Sequence, residues 1–214
     1  FIDEIWKWKK ESGDIIINQL KKLGCSCDWS RNRFTMDDEL SKAVTQTFVQ
    51  LYNEKIIYKD TKLVNWDTKL ETAISDLEVE QREVQSNLYY IKYQIFNESN
   101  FIVIATTRPE TMIGDTAIAV NPKDHRYQNF IGKEVIVPIT KRKVKVIADT
   151  YVSLDQGTGA LKVTPAHDFN DFEIGKRHNL DFINIFEKNG KINKNAPNEY
   201  VGLDRNEARI KIVK

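Results

Sequence analysis

The sequence predicts an α+β chain: a β-barrel-like mixed or antiparallel sheet with flanking helices, preceded by a helical segment and a β-ribbon connection. Three observations carry that reading. Apolar residues recur at helical spacing in the first sixty positions. From residue 87 onward the texture changes to at least six short strand-like segments with few long helices. Between them, 61–86 is highly charged but lacks the Gly/Ser/Pro composition of a free linker, so an ordered connection is expected. The expected organisation is a helical segment over 1–60, a ribbon over 61–86 and the sheet domain over 87–214.

Composition sets outer limits. With 214 residues the chain can bury a sizeable core, as one large domain or two small ones. Hydrophobic content of 41% and charged content of 29% fit a globular protein, and a net charge of +1 gives no global signature for nucleic acid. No apolar run approaches the roughly 20 residues of a membrane span, so no membrane partner is expected. Phe1 to Lys10 lacks a signal-peptide core and does not begin with Met, which reads as a piece of something longer. Cys25 and Cys27 lack the second ligand pair of a structural zinc site. They read as reduced thiols in a cytoplasmic protein, and the fragment is expected to be monomeric.

Along the chain, Ile16, Leu20 and Leu23 mark a helix over 12–23 that Gly24 stops. Asp37 or Asp38 caps a longer helix with the stripe Leu40, Val44, Phe48, Leu51 and Tyr52. Residues 56–58 and 63–66 read as short strands around a polar turn, and the alternation from Ser75 to Val79 suggests an exposed strand. Further strands are expected at 88–93, 101–105, 116–120, 134–139, 144–147 and 161–164. A helix should follow from His167 or Asp168, a tight turn at Asn189-Gly190, and a final helix at 205–214.

Two polar clusters interrupt this scaffold. Thr106-Thr107-Arg108-Pro109-Glu110-Thr111 follows the apolar strand 101–105. Pro109 suits the opening of a helical turn, Thr107 with Glu110 matches a capping box, and Gly114 ends the turn. The expected ledge of hydroxyls, free N–H groups and one guanidinium could hold a phosphate, carboxylate or nucleotide sugar, or be a capped turn with an exposed Arg. The second cluster runs from Gly157-Thr158-Gly159, whose glycines permit close backbone approach, through Lys162 and Thr164 to His178. Asp168 and Asp171, three apart, share one face of a first helical turn. The helix dipole and free N–H groups there favour ionised carboxylates, hence ligands for a cation such as an ammonium, although Asp168 can equally serve only as an N-cap. His167 and His178, eleven apart, have no third ligand nearby, so no metal is expected. Walker, Gly-x-Ser-x-Gly and His-Glu-x-x-His motifs are absent, and a lone Gly-x-Gly is weak evidence for a dinucleotide.

The peptides Thr106–Thr111, Gly157–Ala160 and Thr164-Pro165-Ala166-His167-Asp168-Phe169-Asn170-Asp171 resemble the signatures of class I aminoacyl-tRNA synthetase editing domains. Leu23–Arg31, Arg33–Asp37, Leu63–Asp67, Ile174–Leu180 and Gly202–Arg205 resemble the valyl branch, and the likeness spans essentially the whole chain. The resemblance implies hydrolysis of a mischarged ester, Thr-tRNA(Val), at the tRNA 3′ end, with the remainder of a synthetase as the other partner. It implies no cofactor here; ATP would serve a synthetic site whose signatures this sequence lacks. On that footing Asp171 pairs with the substrate α-ammonium. Asp168 and Lys162, helped by Thr164 or Arg108, recognise the threonine hydroxyl. Thr106, Thr107, Arg108, Glu110 and Thr111 hold the terminal adenosine or ester, the Gly157-Thr158-Gly159 backbone approaches it, His167 positions and His178 is structural. Competing readings are a non-catalytic tRNA-contacting module using 141–143 and 176–177, or isoleucyl or leucyl editing.

Overall fold

The computed structural model describes all 214 residues, which divide into two compact units, Phe1–Asp60 and Thr61–Lys214. The first unit is helical: α1 (Ile2–Ser12), α2 (Ile15–Lys22) and α3 (Asp38–Asn53). Helix α1 was not foreseen. Leu23 closes α2 and Gly24 follows at φ +79°, while the Cys25 amide reaches back to the Leu20 carbonyl at 3.1 Å. That is the left-handed stop expected of Gly24. Asp37 precedes α3, but its carboxylate accepts from the Phe34 amide (2.9 Å) and caps no helix N–H. Residues 56–58 form no strand. Lys55 takes a positive φ, and the Ile56 and Ile57 amides fold back onto the Leu51 carbonyl as a helix end.

The second unit opens with a two-stranded ribbon, β1 (Asn65–Asp67) against β2 (Thr72–Ile74), antiparallel. The strand expected from Ser75 to Val79 is instead a 3-10 turn, Asp76–Glu78. Ser75 Oγ accepts from the Leu77 amide and the Glu78 carboxylate returns to the Ser75 amide at 2.9 Å. A capping box local in sequence outcompetes an alternation that has no neighbouring strand to pair with.

Six strands build the sheet: β3 (Tyr89–Ile95), β4 (Phe101–Thr106), β5 (Ala117–Val120), β6 (Glu134–Ile136), β7 (Lys143–Ala148) and β8 (Ala160–Val163). Their order is β4-β3-β6-β7-β5-β8, antiparallel except for the parallel pair β5–β7. The edge strands β4 and β8 approach one another, so the sheet curls into a nearly closed barrel. Helix α4 (Phe169–Arg177) packs on β8, and α5 (Arg205–Val213) lies against the 3-10 turn Pro109–Gly114.

Period-two side-chain alternation explains the packing. From β5, Ile118 and Val120 enter the barrel core with Tyr93, Ile102, Ile104 and Val135. Ala117 and Ala119 face the other way, onto Val163 and Ile174 of α4. Their small size lets the helix approach, and Gly175 continues this, since a Cβ there would stand 2.8 Å from Pro165. Pairing sets Lys162 opposite Ile118, the β5 residue that faces the barrel. A lysine is thereby sent into an apolar interior, where it requires a partner. No helix is long and apolar enough to cross a membrane.

Candidate functional site

Lys162 finds its partner in Asp115, at the end of the 3-10 turn and immediately ahead of β5. Nζ of Lys162 lies 3.2 Å from Asp115 Oδ1, 2.7 Å from Thr111 Oγ1 and 2.5 Å from Thr164 Oγ1. Thr164 donates its hydroxyl proton to Asp115 Oδ1 (2.5 Å), and Tyr93 donates to Oδ2 (2.6 Å). Asp115 is wholly buried. Burial pushes its carboxyl upward while Lys162, Thr164 and Tyr93 pull it back, and burial drives the Tyr93 phenol well up. An ammonium has three donors, and Lys162 spends all three inside the protein. A strut thus joins the Thr111 end of the ledge to the Thr164 end of the second cluster. Lys162 and Thr164 are walls of the region, but Lys162 has no donor to spare for a substrate hydroxyl in this arrangement.

Asp171 lies on the other side of Thr164, accepting from its backbone N–H through Oδ2 at 2.8 Å. It is 6% exposed and makes no ion pair. Burial raises its carboxyl to about 6, against the Thr164 hydrogen bond and the nearby Lys162 charge. This corrects the expectation that the helix start lowers it: desolvation outweighs the first-turn N–H groups, which go instead to Asp168. Asp168 is the N-cap, its Oδ1 accepting from the amides of Asn170 (2.8 Å) and Asp171 (3.1 Å). Its side chain is exposed and borders an open cleft.

The ledge is joined to the same tract by Arg108, whose guanidinium donates to the His167 carbonyl at 3.0 Å. Nε2 of His167 accepts from the Ile185 amide (2.9 Å), and the ring meets Phe186 edge-on at 4.8 Å. The proton therefore sits on Nδ1. Burial, with Arg108 and Lys162 nearby, lowers the imidazole to about 4, so His167 is neutral at physiological pH and positions the chain. Thr106 Oγ1 accepts from the Arg108 amide, Thr111 Oγ1 donates to the Arg108 carbonyl, and Thr107 is exposed. The expected Thr107–Glu110 capping box does not form. Glu110 is 1% exposed and receives the Arg209 guanidinium of α5 on both oxygens, at 2.8 and 2.7 Å. It anchors the ledge from behind.

The glycines divide. Gly157, at φ +61°, is exposed and passes beside Ala105, next to Thr106. Gly159, at φ +77°, is buried against the Asp124–Arg126 ion pair, where any Cβ would collide with the guanidinium. The Thr158 carbonyl accepts from Tyr127 Oη at 2.7 Å. His178, with Arg177, binds Asp149 at the far end of α4.

Sequence reasoning missed Asp115, Tyr93 and Arg209. Asp115 had a signal, an acid between Gly114 and an apolar strand, but its partner lies 47 residues away. Arg209 lies 99 residues from Glu110, and nothing local announces the pair.

Beside Arg108, His167 and Asp168 opens a cleft of about 1060 Å³ between residues 61–68, the start of α4 and residues 182–195. The sequence model of the tRNA synthetases class I (I, L, M and V) matches residues 1–200, and the chain belongs to that family. Within it, the valine–tRNA ligase of Pelagibacter ubique is 66% identical over 214 residues, all of this chain and 24% of that protein. The valine–tRNA ligase of Syntrophotalea carbinolica is 54% identical over 213 residues, again 24% of its length. Among solved structures, a LeuRS chain from an Agrobacterium radiobacter ternary complex with tRNA and LeuAMS covers 84% of this chain and 32% of its own. It is 18% identical, at a TM-score of 0.42. The chain spans about a quarter of the length of the curated relatives it matches.

Proposed function

We propose that the Thr61–Lys214 unit is a hydrolytic editing module that clears threonine misattached to tRNA(Val). One observation carries the reading: Asp171 is a nearly buried carboxyl group that makes no ion pair, held at the junction of the two polar peptides while Lys162 spends its donors on Asp115, Thr111 and Thr164. Burying such a group costs stability and is characteristic of functional sites. An α-ammonium would supply the missing charge.

The chemical need is plain. A hydrophobic pocket rejects an isostere that adds a hydroxyl by only about a hundredfold, a general figure established for valyl enzymes themselves rather than from this chain. A second site can invert the selection by hydrogen-bonding the hydroxyl, leaving valine nothing to offset unpaired polar groups. In this reading Asp171 holds the ammonium. The outer oxygen of Asp168 takes the threonine hydroxyl, and Thr164 and Lys162 shape the wall through Asp115. Arg108, Thr106 and Thr107 face the adenosine or ester, Thr111 ties the ledge to Lys162, and the backbone at Gly157 closes the approach. A positioned water attacks the ester carbonyl, the tetrahedral adduct collapses, and threonine leaves with the tRNA hydroxyl regaining its proton. His167, neutral and engaged at Nε2, is not the base; a ribose hydroxyl can assist the water.

The test is deacylation of Thr-tRNA(Val) by a full-length valine–tRNA ligase carrying this sequence. Asp171→Ala should abolish it, and an undiminished rate would remove Asp171 from the site. Running the assay over mischarged valine, isoleucine and leucine tRNAs reads the acyl and tRNA preference directly.

A further inference from the structure

The loop joining β7 to β8 carries the Gly157-Thr158-Gly159 peptide, and every residue from Ser153 to Gly157 is exposed. A surface loop of that kind is ordinarily among the most mobile parts of a fold. Here its alternate carbonyls are all held. The Asn121 side-chain amide donates to the Val152 carbonyl at 2.7 Å, and Nη2 of Arg126 to the Leu154 carbonyl at 2.9 Å. The Gln156 carbonyl accepts from the Gly159 amide at 3.1 Å, and the Thr158 carbonyl from the Tyr127 hydroxyl at 2.7 Å. The three side chains come from one short stretch, 121–127, between β5 and β6. Asp124, 5% exposed, fixes that stretch. It accepts from the Arg126 amide and grips the guanidinium on both oxygens, Oδ1 at 2.9 Å from Nε and Oδ2 at 2.6 Å from Nη2. Gly159 passes so close over the pair that no side chain fits there.

This framework is poorly explained as stabilisation. The Arg126 side chain is 57% exposed, and a surface ion pair contributes little to folding. The Tyr127 ring packs on the barrel core, a task phenylalanine would perform, whereas its hydroxyl serves the loop alone. What the framework does achieve is a fixed backbone with spare donors. The amides of Gln156, Gly157 and Thr158 have no partner within the chain, and Gly157 runs beside Ala105, next to the ledge. Successive free N–H groups on a held backbone suit negative charge developing on a substrate oxygen. We propose that Arg126 and Tyr127, with Asn121, are positioning residues of the editing site, setting the 152–158 loop over the ledge so that its free amides meet the ester. They act through the loop and do not touch the substrate. The inference rests on the editing reading for what the loop meets, but not for how the loop is held.

The test uses the same full-length enzyme with Thr-tRNA(Val) and threonyl-adenosine. Tyr127→Phe removes one hydroxyl and keeps the core packing. It should lower kcat on both substrates about 10-fold or more and leave KM within about 2-fold, the pattern of an interaction realised in the transition state. Arg126→Lys keeps a cation for Asp124 but loses the fork that reaches Leu154 at the same time, and should do likewise. The shape of the pH profile should stay that of the parent, since neither group exchanges a proton. For Tyr127→Phe the thermal midpoint and valine attachment to tRNA should match the parent. Parent-like kcat in both variants, or a loss of hydrolysis matched by equal losses of thermal stability and valine attachment, overturns the proposal. If Asp171→Ala abolishes hydrolysis while Tyr127→Phe leaves it unslowed, the positioning role fails alone. If the parent hydrolyses neither ester, the editing reading fails, and hydrogen exchange at the Gly159 amide decides how the loop is held. Exchange about 10-fold faster in Tyr127→Phe upholds the clamp, and unchanged exchange overturns it.

Discussion

At the scale of the residue, the decisive quantity is the cost of holding charge where water is scarce. Asp171, raised to about 6 from an ordinary 3.8, folds more readily protonated than ionised. Its contribution to stability is full below about pH 4 and is lost as pH rises through about 6, by about 3 kcal/mol. Asp171→Asn keeps an acceptor for the Thr164 amide and removes the charge. The variant should therefore gain on the parent in thermal stability between pH 4.5 and 7.5, while losing deacylation. A parent-minus-variant difference that stays flat over that range would show that Asp171 carries no such cost. Deacylation by the parent should fall below pH 6, because only the carboxylate pairs with an ammonium. The Lys162–Asp115 pair obeys the converse rule. Removing one partner of a buried pair strands the other, so Asp115→Asn or Lys162→Met alone should cost about 3–5 kcal/mol. The double variant should cost well under their sum in urea unfolding, and additive losses would deny that the two act as a unit.

At the scale of the element, α4 shows what a sequence can and cannot announce. Its start was legible because Asp168 caps it through two short-range bonds, whereas its buried side, made by Asp171, Phe172, Ile174 and Gly175, shows only in the fold. Asp168→Ala should cost about 0.5–2 kcal/mol. Asp168→Asn should restore stability without restoring preference for threonyl over valyl esters. Full recovery of that preference in the Asn variant would reduce Asp168 to its cap. The strands were legible for the same local reason: alternation or a continuous apolar run is written into each segment. Where two local devices competed, periodicity misled. Ser75–Glu78 alternates but caps itself, and Thr107–Glu110 has the spacing of a capping box while Glu110 answers an arginine 99 residues on. The polar peptides could be found in the sequence, but the arrangement of their side chains could not. Whether Lys162 offers a donor or spends all three depends on Asp115 and Thr111, which only the barrel brings to it.

At the scale of the whole molecule, the two units differ in how they are stabilised. Every fully buried residue lies in Thr61–Lys214, where the barrel core and two satellite clusters form. In Phe1–Asp60 none is buried, and the predicted stripe of α3 leaves Val44, Phe48 and Tyr52 at 65%, 55% and 59% exposure. Hydrophobic burial is the main favourable term in folding, and a short helix of 8–16 residues without it is marginal in water. The expected outcome is asymmetric. A fragment of residues 61–214 should unfold cooperatively in urea with a midpoint close to that of the whole chain. A fragment of residues 1–60 should show a shallow, non-cooperative loss of helicity by circular dichroism. Rapid amide exchange over α1 to α3, against slow exchange in β5 and β8, would report the same division in the intact chain. A single cooperative transition in which α3 is protected as strongly as β5 would refute it, and would mean that the exposed stripe is covered within this chain rather than by the rest of a longer one.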